Sequence, residues 1–434
     1  MNKKSPWLLT IGLAIYVALF VIRDIIQINI PGAILMFWFV GLLLVLPRPE
    51  MMKAIFFMMP FACGIPGYTI LFSLVVLIIK SKRINAWQII PPVIIALLEF
   101  INVAFYDFDI RIQSVISYIG FIVLFFYILF DKEPQTNKPS CVRFFCYGVV
   151  ISLIIVYVPI ITKHGLLPLI AGEARAGAAM GFENKEDAAG HLVMNANTIA
   201  YFSITLLSLL LLGRKRIGIS SNSFYYFAIF IAAAAGTLSF SRTWLMLTAL
   251  VIVLYVLNSK HRVIATILVV MSTSLILTTQ NMIVESISGA FQTRMEDETM
   301  ETGGGRFDIF ADYNDAWLED VSFVIKGTGA THYGDVISHN YSMHNGLQQI
   351  WVCHGIIGLF VFAAAFVHYL KTCRSRKKLP FIYYLPFIAC FVFDQSIQFL
   401  NPYTLMLPFL PPLYILAFDK ETESRSNVKT TSLS

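Results

Sequence analysis

The sequence predicts an all-α, polytopic integral membrane protein with about fourteen transmembrane helices in one domain, residues 1–434. Three observations carry that expectation. Apolar residues make up 57% of the chain and charged residues only 13%, with a mean hydropathy of +0.71, outside the usual range of soluble domains. Apolar runs close to bilayer length recur along the whole chain. Lysine and arginine collect in alternate loops.

The elements follow in order. A first span near 6–22 follows Lys3 and Lys4 like the core of a signal sequence. No small-residue cleavage site follows and further spans come at once, so it is expected to remain as an uncleaved first helix. Spans near 31–46, 51–65 and 67–79 come next; 51–65 is short, carries Pro60, and only GIPG (64–67) separates it from its successor. Runs at 87–106, 110–130 and 142–162 complete the N-terminal half. After a segment at 163–197, spans are read at 198–213, 223–240, 242–258 and 262–279. A larger segment, 280–345, precedes the last three spans at 346–370, 380–398 and 402–418, with a tail at 419–434.

An inside N-terminus puts Arg48, Lys53, Lys80, Arg143, the Arg214–Arg216 run, and KTCRSRKK (371–378) on the cytoplasmic side. Both termini are then cytoplasmic, and 163–197 and 280–345 face outward. The net charge of +6 therefore reports topology and calls for no nucleic-acid partner. The six cysteines show neither zinc spacing nor a disulfide framework and read as structural. Within the larger outer segment, RFDIFADYNDAWLEDV places Phe307, Phe310, Asn314, Trp317 and Val321 on one helical stripe, as for an amphipathic helix packed over the spans. No matched pair of broken helices of the transporter kind is visible.

Three outer features can carry chemistry. In SFSRTW (239–244), Arg242 sits at the outer junction of two spans, either as a snorkelling anchor or as a fixed cation for a phosphate. In TGGGRFDIF (302–310), Arg306 opens a helix whose N-terminus offers donors to an anion; a flexible turn with an ion-paired Arg reads the same way. Arg294 is explained by Glu298 one turn on. Finally, GTGATHYGDVISHNYSMHNG holds His332, His339 and His344, with spacing too irregular for a metal site. A single imidazole acting as a base is the simpler expectation.

These stretches together resemble the O-antigen ligase and polymerase superfamily of bacterial inner membranes. The signature of that family is a His-Asn pair followed by hydrophobics and two spaced glycines, here His344-Asn345, Gly355 and Gly358. Arg306 with Gly327 and Gly329 is similar to its Gly-Arg, aromatic helix, Gly-x-Gly segment, Arg242 to its Ser-Arg-Thr turn, and Asn197 to the Asn preceding an earlier helix. The likeness spans roughly residues 190–370. It departs at Gln348, where the family often has leucine, and at His339-Asn340, a competing pair that the glycine spacing disfavours.

The resemblance implies a GT-C-like, metal-independent and cofactor-free glycosyltransferase with a periplasmic pocket and an undecaprenyl-diphosphate-linked donor. On that reading His344 is the base that activates an acceptor hydroxyl, and Arg242 and Arg306 meet the charge of the diphosphate. Asn345 either orients the imidazole or caps the next helix; Asn197 and Asp394 are supporting residues, and Tyr341 and Trp351 either stack on sugars or belong to the interfacial belt. The favoured activity is polymerisation of oligosaccharide repeat units, alongside a chain-length regulator. The alternative is ligation of the finished glycan to lipid A-core. A flippase of the same lipids would instead use ionisable groups within the spans, Glu99 and Asp394 being the candidates, and a structural scaffold is a third class.

Overall fold

The computed structural model describes residues 5–81, 83–105, 112–131, 138–170, 190–259, 263, 266, 306–331 and 345–374, and every regular element among them is helical. In chain order these are α1 (Ser5–Phe20), α2 (Gly32–Val45), α3 (Arg48–Met58), α4 (Tyr68–Ile79), α5 (Ala86–Phe105), α6 (Ile112–Leu129) and α7 (Lys138–His164). They continue with α8 (Leu166–Ile170), α9 (Ala196–Ile217), α10 (Asn222–Leu238), α11 (Arg242–Asn258), α12 (Arg306–Glu319), α13 (Val321–Lys326) and α14 (Gly346–Arg374). Among the described residues five stretches are long and apolar enough to cross a membrane: Pro6–Ile25, Ala86–Ala104, Lys138–His164, Ala196–Ile217 and Gly346–Lys371. Large apolar side chains such as Phe37, Phe230, Met246 and Phe360 remain exposed on the helix surfaces, as a lipid-facing exterior requires. The expected spans at 262–279, 380–398 and 402–418 lie largely or wholly outside the described residues.

α9 forms the middle of the bundle. It is buried almost along its length, between α7, α10 and α11. Asn195 starts it by accepting the Thr198 N–H at 2.7 Å, and Gly218 ends it in the left-handed region. The weak third span is α3 continued by a 3-10 turn, Met59–Gly64, in whose first turn Pro60 lacks only a donor that would go unused. Almost every side chain of α3 is buried, including Glu50, so this element packs inside protein. A close approach to α7 makes that possible, because a Cβ on Gly148 would overlap the Phe57 carbonyl.

Long-range bonds sort by side. At the end expected to be cytoplasmic, Lys80 Nζ donates to the carbonyls of Leu43, Leu44 and Leu46 and closes the C-terminus of α2. Arg48 pairs with Asp131 at 2.8 Å, and Arg143 donates to the Gly218 carbonyl at 3.0 Å. Residues expected on the outer side likewise bond to one another, as described next.

Candidate functional site

The N-terminal end of α14 begins at Asn345, whose Oδ1 accepts the N–H groups of Leu347 at 2.9 Å and Gln348 at 3.0 Å. Asn345 therefore caps the helix, one of the two roles open to it. Gln348 has a use of its own: its Nε2 donates to the Phe310 carbonyl at 2.8 Å and approaches Asn314 Oδ1 at 3.3 Å. That bond ties the first turn of α14 to α12, the helix that starts at Arg306. Trp317 adds a second tie, stacking on Trp351 with centroids 5.4 Å apart and donating to its carbonyl at 3.1 Å. Trp351 is thus engaged by a protein ring.

The face of α12 that packs shares Asn314 and Trp317 with the expected stripe but is rotated from it. Tyr313 and Trp317 are buried, with Ile309 and Ala316 packed beside them, whereas Phe310 and Val321 are exposed. The register breaks because α12 stops at Glu319. Asp320 then caps α13, accepting the Ser322 N–H at 2.7 Å, so Val321 belongs to a different helix.

Further along, α14 is broken at Gly355, with φ 62° and ψ −163°. The break releases two carbonyls from the helix ladder, and the strap after α13 takes them. Thr328 N–H donates to Val352 at 2.8 Å and Gly329 N–H to Cys353 at 2.9 Å. Only glycine fits at the contact. Gly355 and Gly327 both have positive φ, and a Cβ on either would overlap backbone of the other segment. Gly327, Gly329 and Gly355, separate motifs in the sequence, therefore serve one joint. Just before the break, buried His354 stacks on Tyr118, its Nε2 2.6 Å from the Tyr118 hydroxyl.

Glu99 on α5 holds the end of the strap. Fully buried, its carboxylate accepts the Ala330 N–H at 2.7 Å, the Thr331 N–H at 3.1 Å and the Thr331 hydroxyl at 2.6 Å. One turn away Lys326 Nζ donates to Asn102 Oδ1 at 2.9 Å. Burial lowers the pKa of that ammonium, and Asp320 opposes the shift. Glu99, the candidate pathway residue of the flippase alternative, is here bonded to the strap.

A second group of expected site residues meets at the junction of α9 and α11. The Ser241 hydroxyl donates to Asn197 Oδ1 at 3.1 Å, joining the Asn and Ser-Arg-Thr motifs. Ser241 precedes Arg242, which opens α11 as Arg306 opens α12, so both arginines stand at helix N-termini where backbone donors are unpaired. Trp244 fixes the turn by packing where a Cβ of Gly236 would be. His344, His339, Tyr341 and Asp394 lie outside the described residues. Among the described residues no cluster of His, Cys, Asp and Glu could hold a metal ion. Compared with known proteins, the chain matches no family model and no curated sequence.

Proposed function

We propose that this chain is a metal-independent glycosyltransferase of the bacterial inner membrane, one that polymerises undecaprenyl-diphosphate-linked oligosaccharide repeat units at the periplasmic face. The reading includes fourteen spans, a GT-C-like arrangement and cytoplasmic termini. The observation that carries it is the Gln348 bond to Phe310, which couples the helix opened by Arg306 to the turn that follows His344-Asn345. Two motifs far apart in sequence are thereby held in one rigid unit, as a site with a cation and a base requires.

In the proposed reaction an acceptor hydroxyl attacks the anomeric carbon of the donor and passes its proton to His344. The bond from that carbon to the phosphate oxygen breaks, and its electron pair leaves on the diphosphate. Arg242 and Arg306, with the N-terminal donors of their helices, meet the developing charge. The engagement of Glu99 favours an enzyme over a flippase, because a carboxylate committed to three donors of the strap is a poor pathway residue.

Deleting the gene and running the surface glycan on a gel tests the reading. A polymerase leaves core bearing a single repeat unit. Bare core with long undecaprenyl-linked chains would make the protein a ligase, and repeat units trapped on the cytoplasmic face would make it a flippase.

A further inference from the structure

Where α9 ends, away from the motifs above, positive charge collects with no acid to meet it. Arg214 and Lys215 lie in the last turn of α9, and Arg143 reaches the same place from the second turn of α7. Arg143 donates to the Gly218 carbonyl and to the Ser140 hydroxyl, each at 3.0 Å. Arg214 donates through Nε to the Ile219 carbonyl at 3.3 Å and through a terminal nitrogen to Asn222 Oδ1. Its guanidinium lies 4.0 Å from the centroid of the Tyr225 ring. Two arginines from two helices therefore grip one loop, residues 218–222.

All of these partners are neutral. Among the described residues neither arginine forms an ion pair, nor does the exposed Lys215. A guanidinium carries five N–H groups, and each of these spends two, so three remain on each for a ligand. The dipole of α9 favours cations in its last turn, which accounts for Arg214 and Lys215. It does not account for Arg143, which lies toward the N-terminal, positive end of α7. Nor does the sorting of basic residues across a membrane, which needs solvated charge and no fixed geometry. Three like charges gathered at one loop repel one another, and an anion seated among them would offset that cost.

The surroundings favour a lipid as the source of the anion. α7 and α9 are each long and apolar enough to cross a membrane, so their shared end falls at headgroup level. Beside the cations α10 turns large side chains outward, with Tyr226 65% and Phe230 67% exposed one turn apart. Tyr226 meets Tyr225, the ring that carries Arg214, edge to face with centroids 5.2 Å apart. Tyr147, one turn past Arg143, meets Phe224 in the same way at 4.7 Å, so α7 and α10 close one corner. We propose that Arg143, Arg214 and Lys215 hold the phosphate of an anionic phospholipid, with an acyl chain along the exposed face of α10. The guanidinium forks suit phosphate oxygens, and the ammonium adds a mobile charge. Basic pockets between spans seat anionic headgroups in this way. The site depends neither on the glycosyl-transfer reading nor on which side of the membrane this end faces.

The test uses the full chain, delipidated in detergent. Melting curves are recorded against added short-chain phosphatidylglycerol, short-chain phosphatidylcholine, which is zwitterionic, and inorganic phosphate. Phosphatidylglycerol should raise the melting temperature of wild type saturably, and the other two should not. Lys215→Gln alters an exposed side chain and should raise the apparent Kd for phosphatidylglycerol about fivefold. Arg143→Gln and Arg214→Gln combined should abolish the shift; if that protein does not fold, Lys215→Gln still decides. Arg83→Gln removes an exposed cation elsewhere on the chain and should bind as wild type does. Equal stabilisation by inorganic phosphate would make the ligand a soluble anion, and equal stabilisation by phosphatidylcholine an acyl-chain effect; either overturns the proposal. It falls as well if Lys215→Gln binds as tightly as wild type, or if Arg83→Gln weakens binding as much as Lys215→Gln.

Discussion

Glu99 accepts the Ala330 N–H at 2.7 Å across 231 residues of sequence, and with the two Thr331 bonds it anchors the strap after α13 to α5. Glu99→Ala strands buried donors at about 1–3 kcal/mol each. A lower melting temperature in detergent and faster protease cleavage after α13 are expected. Glu99→Gln keeps one acceptor oxygen and should fall between. Wild-type melting and cleavage in Glu99→Ala would remove the anchoring role.

The broken helix makes a sharper case. Gly355 combines positive φ with a backbone that a Cβ would overlap, so Gly355→Ala should strain the chain and dislodge the strap from Val352 and Cys353. The expected result is loss of the monodisperse peak in size-exclusion chromatography, or a melting point lower than that of Gly41→Ala, where a Cβ meets open space. Equal behaviour of the two variants would show that the joint tolerates a side chain.

Capping by Asn345 gives a graded expectation. Asn345→Asp and Asn345→Ser retain an acceptor for Leu347 and Gln348, and Asn345→Ala does not. Alanine should cost about 1 kcal/mol of stability, and Asp and Ser much less. If Asp and Ser instead abolish activity at unchanged stability, orienting a neighbouring imidazole is the larger duty of Asn345.

Lys326 titrates with a definite sign. Burial holds its folded pKa below the ordinary 10.5, so between those two values the unfolded chain binds more protons than the folded protein. Stability should therefore rise with pH through that window, relative to Lys326→Gln, which lacks the titration. Thermal melts of both proteins at a series of pH values approaching 10.5 measure the difference. A wild type that loses ground to the variant over that range would contradict the assignment.

Much of this was legible in the sequence, for identifiable reasons. Apolar length alone marks α5, α7, α9 and α14, and the glycines of the KGTG and HGIIG stretches mark backbone that must bend or approach closely. What periodicity cannot give is the partner. Glu99 looks like an intramembrane charge until the strap is placed against it, and Gln348 looks like an exception until Phe310 is. On α12 Trp317 packs as the pattern requires, but Val321 does not, because Asp320 ends one helix and caps the next, a local hydrogen bond that a pattern run through Val321 ignores.

The most direct measurement is complementation of a deletion strain with wild type, His344→Ala or Arg306→Ala, expression being checked in the membrane fraction. A ladder of surface glycan restored by wild type and by neither variant is the predicted result. Normal ladders from both variants would contradict the account, because neither the base nor the cation would then be needed for transfer.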